Sequence, residues 1–448
     1  MSKKFSVLIK NKIQSYNKKI TVDSDKSLTH RCFFLASQCY GISKIKGLNS
    51  EDIDSTIIGL KKLGIKILKK KENYYVYGNG ISGFKKFNGT LNLKNSGTSA
   101  RSFLGILACY PYPVNITGDA ALKVRPFRRL TSFLEKIGAN ITHPKNKKFT
   151  LPLKIHGTKD WALAQTHILK IPSAQIATAI IYAGLQINGI TKIIEFSETR
   201  AHTQNLLKFL GVSIKVKKIK NKRITIINGQ EEMPGFTINV PADPSSACFF
   251  VVQTLLAEKS SLLIKNVCIN DTRIGFIKIL KMMGGNISII NKRKYFGEKV
   301  GDLFIKSSKL KGIKCPVKLI VKSIDDLPII WIACALAKGQ SYFKGISELR
   351  LKESDRIKTI SNSLNKLGIK TVTGKDFIRI YGNQNIKTGK KIKISSDLDH
   401  RVAMSNFVAG IVTGNNLIIN GFETVLSSFP NFLKLQRQIG AKYEIKKK

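Results

Sequence analysis

Asp325, Asp326, Glu348, Glu353 and Asp355 stand out in a chain that carries 76 Lys and Arg against 28 Asp and Glu. Three of them fall in one run, ELRLKESDR, from Glu348 to Arg356. Carboxylates gathered where carboxylates are scarce suit a local electrostatic task, such as holding or moving a proton. The same run also reads as a solvated helix start with alternating charge. Arginines supply the complementary chemistry. Arg125, Arg200, Arg273 and Arg356 precede a helix-ending glycine by 13, 11, 11 and 12 residues, which puts each near a helix start. Free N–H groups and the macrodipole attract anions there, and a guanidinium adds bidentate recognition of carboxylate or phosphate.

The elements that position these groups follow from a repeat. An apolar helix end, a glycine and a strand-like stretch recur six times: LKKLGIKI, LEKIGANI, LKFLGVSI, LKMMGGNI, LNKLGIKT and RQIGAKYEI. The glycines are Gly64, Gly138, Gly211, Gly284, Gly368 and Gly440, at intervals of 74, 73, 73, 84 and 72 residues. Apolar residues three and four apart give a helix one buried face, and glycine ends it in a left-handed conformation. Alternation as in Ile287 and Ile289 then gives a strand. Each unit is a compact α/β module that buries little alone, so several must pack together. Six modules suggest two domains of three, with a crevice between them.

Composition bounds the rest. A chain of 448 residues with 43% hydrophobic and 23% charged residues fits a globular protein of two or more domains. No segment reaches the roughly 20 apolar residues needed to span a bilayer, and Leu327 to Ala337 reads as a buried helix. The N-terminal stretch has neither an apolar run nor a cleavage site, so a cytoplasmic protein with no membrane partner is expected. Seven cysteines without a CxxC pair, and six histidines without ligand spacing, read as buried thiols and no metal site. The net charge of +48 is spread along the chain, not gathered in a stripe with aromatics. Anionic metabolites, not nucleic acid, are therefore the expected partners.

A series of motifs runs in order through nearly the whole chain: DKSLTHR (Asp25 to Arg31), NSGTSAR (Asn95 to Arg101), GDAALKVRP (Gly118 to Pro126) and PSAQ (Pro172 to Gln175). TRAHT (Thr199 to Thr203), VPADPSSA (Val240 to Ala247), DDLP (Asp325 to Pro328), ELRLKESDR, DHR (Asp399 to Arg401) and SSFPNF (Ser427 to Phe432) follow. This series resembles the enolpyruvyl transferase family, in the branch that acts on shikimate 3-phosphate. The resemblance implies a two-lobed inside-out α/β barrel of six βαβαββ-type repeats, three per lobe. It places residues 22–240 in one lobe and residues 1–21 with 241–448 in the other. The chain would cross near Thr21 and Pro241 in a double-crossover hinge.

The implied reaction transfers the enolpyruvyl group of phosphoenolpyruvate to the 5-hydroxyl of shikimate 3-phosphate. It releases phosphate and serves the shikimate pathway to chorismate and the aromatic amino acids. It proceeds by addition and elimination, without metal or organic cofactor, in a monomer. Lys26, Asp326 and Glu353 resemble the catalytic groups. Lys26 would touch both substrates, Asp326 would take the 5-hydroxyl proton, and Glu353 would face the reacting carbon. Lys26, Ser27, Arg31, Ser173, Ala174, Gln175, Arg200, Asp326 and Lys352 resemble the shikimate 3-phosphate contacts. Phosphoenolpyruvate would meet Lys26, Gly97, Arg125, Gln175, Arg356 and Arg401, with Gly97 leaving room for close backbone approach. Glu348 and Asp355 are expected to brace the loop.

Some positions depart from the family pattern. Asp23 and Ser24 stand where Pro-Gly is common, Lys94 where glycine is usual, Ala201 where Asp is usual, and Ala242 where glycine is usual. No lysine precedes Phe429-Pro430, where some members carry one. The sister branch acting on UDP-N-acetylglucosamine carries a reactive cysteine before its Arg-Pro pair, and GDAALKV before Arg125-Pro126 has none. A basic repeat protein that binds nucleic acid without turnover is the non-enzymatic alternative.

Overall fold

A computed structural model describes residues 4–143, 149–158, 161–384, 386 and 390–447. The first three residues of the N-terminal stretch lie outside the described residues. The chain divides into two compact units. A central unit comprises Ser24–Val240 with Lys294–Glu298, and a split unit comprises Met1–Asp23, Pro241–Arg293 and Lys299–Lys448. Each has its own hydrophobic core.

Both units repeat one plan. Every module supplies a helix buried on nearly all sides. In the central unit these are Lys26–Ala36, Gly97–Leu107 and Ala174–Gly184; in the split unit, Pro244–Leu256, Leu327–Ala335 and His400–Thr413. Their sequences explain this: AQIATAIIYAG and LPIIWIACA are apolar all round, so they sit inside. A second helix in each module is one-sided. Arg128–Ile137, for example, buries Leu130, Leu134 and Ile137 at spacings of four and three. The repeat glycine then follows, and all six have positive φ, between +81° and +117°.

The sheets form the outer layer. In the central unit each has four strands, with one parallel pair followed by two antiparallel pairings. The split unit borrows from the N-terminus. Phe5–Ile9 lies between Leu417–Asn420 and Glu444–Lys447, and Asn17–Ile20 pairs in parallel with Ser261–Cys268. The third sheet of this unit has three strands, Gly339–Lys344, Phe377–Gly382 and Thr371–Thr373. Where the others have a fourth, parallel strand, only isolated parallel bridges occur, Lys311 to Lys338 and Lys314 to Tyr342. All seven cysteines are buried, and none forms a disulfide among the described residues. Among the described residues, no helix is long and apolar enough to cross a membrane.

Candidate active site

The buried helices place the motifs. Each begins inside or directly after one of the sequence runs above. Asp25, Ser96, Ser173, Asp243 and Asp399 cap their helices by accepting a backbone N–H. An apolar body thus fixes the helix, and its polar start carries the functional side chains.

In the central unit, Lys26 opens its helix, and its Nζ lies 2.7 Å from Asp52 Oδ2. Because Asp25 is the cap, the Ser27 hydroxyl is left to accept from Arg200 Nη1 at 3.3 Å. Arg31 is buried one turn on. Its Nε donates to Thr203 Oγ1 at 2.8 Å, Nη2 to Thr178 Oγ1 at 2.9 Å, and Nη1 to the Ser27 carbonyl at 2.8 Å. A chain of hydroxyls ties the first two buried helices together. His30 Nδ1 meets Thr56 Oγ1, which meets Ser99 Oγ, which meets Ser96 Oγ, at 2.8, 2.7 and 2.7 Å. Burial holds the His30 imidazole well below its ordinary range, so it stays neutral within this chain.

Gly97 starts the second helix. A Cβ at this glycine would lie 2.8 Å from Arg125 Nη1 and 3.0 Å from Arg101 Nη1, so two guanidinium groups converge on its bare backbone. Arg101 also donates to the Gly97 carbonyl at 3.3 Å and stacks over Phe127 at 4.8 Å. Ser173 caps the third helix, Ala174 opens it, and Gln175 Nε2 donates to Thr98 Oγ1 at 3.1 Å. Lys26, Ser27, Arg31 and Arg200 are therefore joined around the first helix start, and Gly97 with Arg125 around the second.

In the split unit the acids form one bonded knot around Arg356. Its guanidinium is 1% exposed. Nε donates to Asp399 Oδ2 at 2.8 Å, Nη2 to Glu353 Oε2 at 2.6 Å, and Nη1 to Asp325 Oδ1 at 3.4 Å. Burial opposes its charge, yet Asp399, Glu353 and Asp325 outweigh burial and strengthen its hold on the proton. Arg401 Nη1 donates to the Asp325 carbonyl at 2.7 Å and to Asp326 Oδ1 at 3.3 Å. Lys352 Nζ lies 3.4 Å from Asp325. Burial raises the Asp326 pKa from its ordinary value, against the opposing pull of Arg401 and a hydrogen bond with Ser245. A carboxylate so raised is a stronger base. Asp355 caps the Arg356–Lys366 helix and pairs with Arg350 at 2.5 Å, a bracing position.

Sequence reasoning named Asp326, Lys352, Glu353, Arg356 and Arg401 as separate contacts. It missed Asp399, the first residue of the DHR motif, as the carboxylate that joins Arg356 to the start of the Arg401 helix. It also missed Asp52, Thr178 and Thr203, whose roles rest on long-range pairing. Arg273, noted for its spacing, is bound by Asp243 at 3.0 Å and Ser245 at 3.2 Å, and so braces a helix start.

Six modules with buried helices, outer sheets and cations at the helix starts define the enolpyruvyl transferase fold. The structure of the enolpyruvyl transferase NikO from Streptomyces tendae covers 100% of this chain, with a TM-score of 0.76 at 12% identity. The chain belongs to the EPSP synthase (3-phosphoshikimate 1-carboxyvinyltransferase) family, whose family model matches residues 10–435. A 3-phosphoshikimate 1-carboxyvinyltransferase of Ruthia magnifica subsp. Calyptogena magnifica is 42% identical over 94% of this chain and 95% of its own length. One from Petrotoga mobilis is 40% identical over 95% and 98%. The structure of EPSP synthase from Acinetobacter baumannii covers all of both chains at 35% identity, with a TM-score of 0.84.

Proposed function

We infer that this chain transfers the enolpyruvyl group of phosphoenolpyruvate to the 5-hydroxyl of shikimate 3-phosphate and releases phosphate. The observation that carries this reading is the paired arrangement of Asp326 with Arg401 and Glu353 with Arg356, in a chain of this family. Asp326 takes the 5-hydroxyl proton, for which its raised pKa suits it. Glu353 delivers a proton to the methylene carbon during addition and removes one during elimination. Lys26, held by Asp52, neutralises charge at the ketal carbon and meets both substrates.

Ser27, Arg31, Ser173, Ala174, Gln175, Arg200 and Lys352 hold shikimate 3-phosphate, Ala174 through its backbone. Gly97, Arg125, Gln175, Arg356 and Arg401 hold phosphoenolpyruvate. The Glu353–Arg356 bond adds a step: an incoming substrate carboxylate competes for Arg356 Nη2 and releases Glu353 for proton transfer. Residues 22–240 act as one lobe and residues 1–21 with 241–448 as the other, with the two chain crossings as hinge. The protein works as a cytoplasmic monomer on small anionic substrates, without a cofactor.

Phosphate release from phosphoenolpyruvate tests this reading. Turnover with shikimate 3-phosphate and none with UDP-N-acetylglucosamine is expected; the reverse preference would place the chain in the sister branch.

A further inference from the structure

One outer sheet face carries chemistry that enolpyruvyl transfer leaves unused. It is built from Tyr40–Lys46, Lys66–Lys70, Asn73–Asn79 and Thr237–Asn239 in the central unit. Strand alternation sends Ser43, Ile45, Ile67, Tyr74 and Val76 into the interior. The other set faces outward. Tyr40 and Ile42 are 52% and 53% exposed. Tyr75 and Tyr77, both half-buried, stand beside them on the central strand, with Ile42 opposite Tyr77 and Lys44 opposite Tyr75. On the edge strand, Lys66 lies opposite Tyr77 and Leu68 opposite Tyr75.

The lysines lie close to the rings. Lys66 Nζ is 4.7 Å from the Tyr77 centroid, and Lys44 and Lys70 are each 5.9 Å from that of Tyr75. None of the four strands contains Asp or Glu. Glu72, in the turn after Lys70, is ion-paired with Lys46 at 2.5 Å. Spread charge along the chain gave no reason to expect nucleic acid. On this face, folding collects cations and aromatics together.

We propose that this face binds single-stranded nucleic acid. Bases stack on Tyr75, Tyr77 and Tyr40, while Lys44, Lys66 and Lys70 neutralise the backbone phosphates. Rings two residues apart on a strand are separated by about 6.8 Å, room for two bases splayed out of their own stack. Aromatic stacking accepts any base, and lysines beside the rings meet the phosphates that follow. A duplex hides its base faces and gains nothing from the tyrosines. An acidic protein would match the charge but leave the rings without their use.

The test is fluorescence anisotropy of a labelled oligouridine on the full chain across a salt series. Tyr75→Ala with Tyr77→Ala is expected to weaken binding at least about fivefold, from ~1–3 kcal/mol per stacked base. Tyr75→Phe with Tyr77→Phe should retain it. Lys66→Glu with Lys70→Glu should weaken it more than Lys215→Glu with Lys217→Glu on another sheet. Cross-linking of a 4-thiouridine strand to the unaltered chain should label the peptide holding Tyr75 and Tyr77, and needs no variant to fold. The proposal falls if oligouridine does not bind, if duplex binds as tightly, or if both lysine pairs matter equally and the tyrosines not at all. Cross-links mapping elsewhere, or a dimer formed through this face in place of oligouridine binding, would overturn it as well.

Discussion

Two pairs of motif arginines, one in each unit, differ in the acceptors around them, although Arg223 elsewhere in the central unit is held by the Glu195 carboxylate. In the central unit, Arg31 and Arg200 are fixed by hydroxyl and carbonyl oxygens from Ser27, Thr178 and Thr203. In the split unit, Arg356 is fixed by the carboxylates of Asp325, Glu353 and Asp399, and Arg401 by the Asp325 carbonyl and the Asp326 carboxylate. A neutral acceptor orients a cation without cancelling its charge. A carboxylate cancels charge but can exchange partners and carry protons, so the second suits chemistry. On the proposed reading, the central unit's arginines grip substrate and the split unit's carboxylates move protons.

Removing the proposed proton carrier should have the largest effect. Glu353→Gln should lower turnover by about 10²–10⁴-fold while substrate binding, read by isothermal titration, persists. Near-normal turnover would remove Glu353 from its role.

Next comes the difference between the acceptors themselves. Asp399→Ala leaves buried Arg356 short of its main partner and should cost about 3–5 kcal/mol of stability in urea unfolding. Thr203→Val removes one neutral acceptor from Arg31 and should cost about 1 kcal/mol. Equal losses would erase the contrast.

Acid should weaken the central unit through His167. Both ring nitrogens are buried without hydrogen-bond partners among the described residues, and burial lowers the pKa to about 4. The unfolded chain binds this proton near pH 6.5, so the stabilising term is complete above that value and is lost as pH falls toward 4. The loss is on the order of 1–3 kcal/mol. His167→Leu should flatten this limb of the stability profile; an unchanged limb would assign it to another group.

Gly97→Ala puts a methyl against Arg125 and Arg101. It should raise KM for phosphoenolpyruvate about tenfold, from ~1–3 kcal/mol of displacement. It should also weaken inhibition by glyphosate, which resembles a phosphoenolpyruvate mimic. Inhibition equally weak before and after the change would reject the crowding argument. The smallest effect concerns Ala201, which starts the His202–Phe209 helix without a side-chain cap. Ala201→Asp should add about 1 kcal/mol in thermal unfolding. No gain would show that this start is already satisfied.

The repeat was readable because it is local. An apolar helix face followed by a glycine lies within about eight residues, and the structure gives all six glycines the same backbone sign. The motif residues were readable as helix starts for the same reason. What joins them was not. Arg31 meets Thr178 and Thr203 across 147 and 172 residues, and Arg356 meets Asp399 across 43. No periodicity encodes such pairs; they follow from the packing of modules. The three-stranded sheet was hidden too, because its module carries the long 84-residue interval and replaces a strand with isolated bridges.

The placement of Phe5–Ile9 between two of the last strands has a consequence for synthesis on the ribosome. Residues 24–240 can condense while the chain is still growing, but Phe5–Ile9 must wait for partners made much later. Until those partners are made, its backbone N–H and C=O groups lack the pairing that the folded sheet gives them.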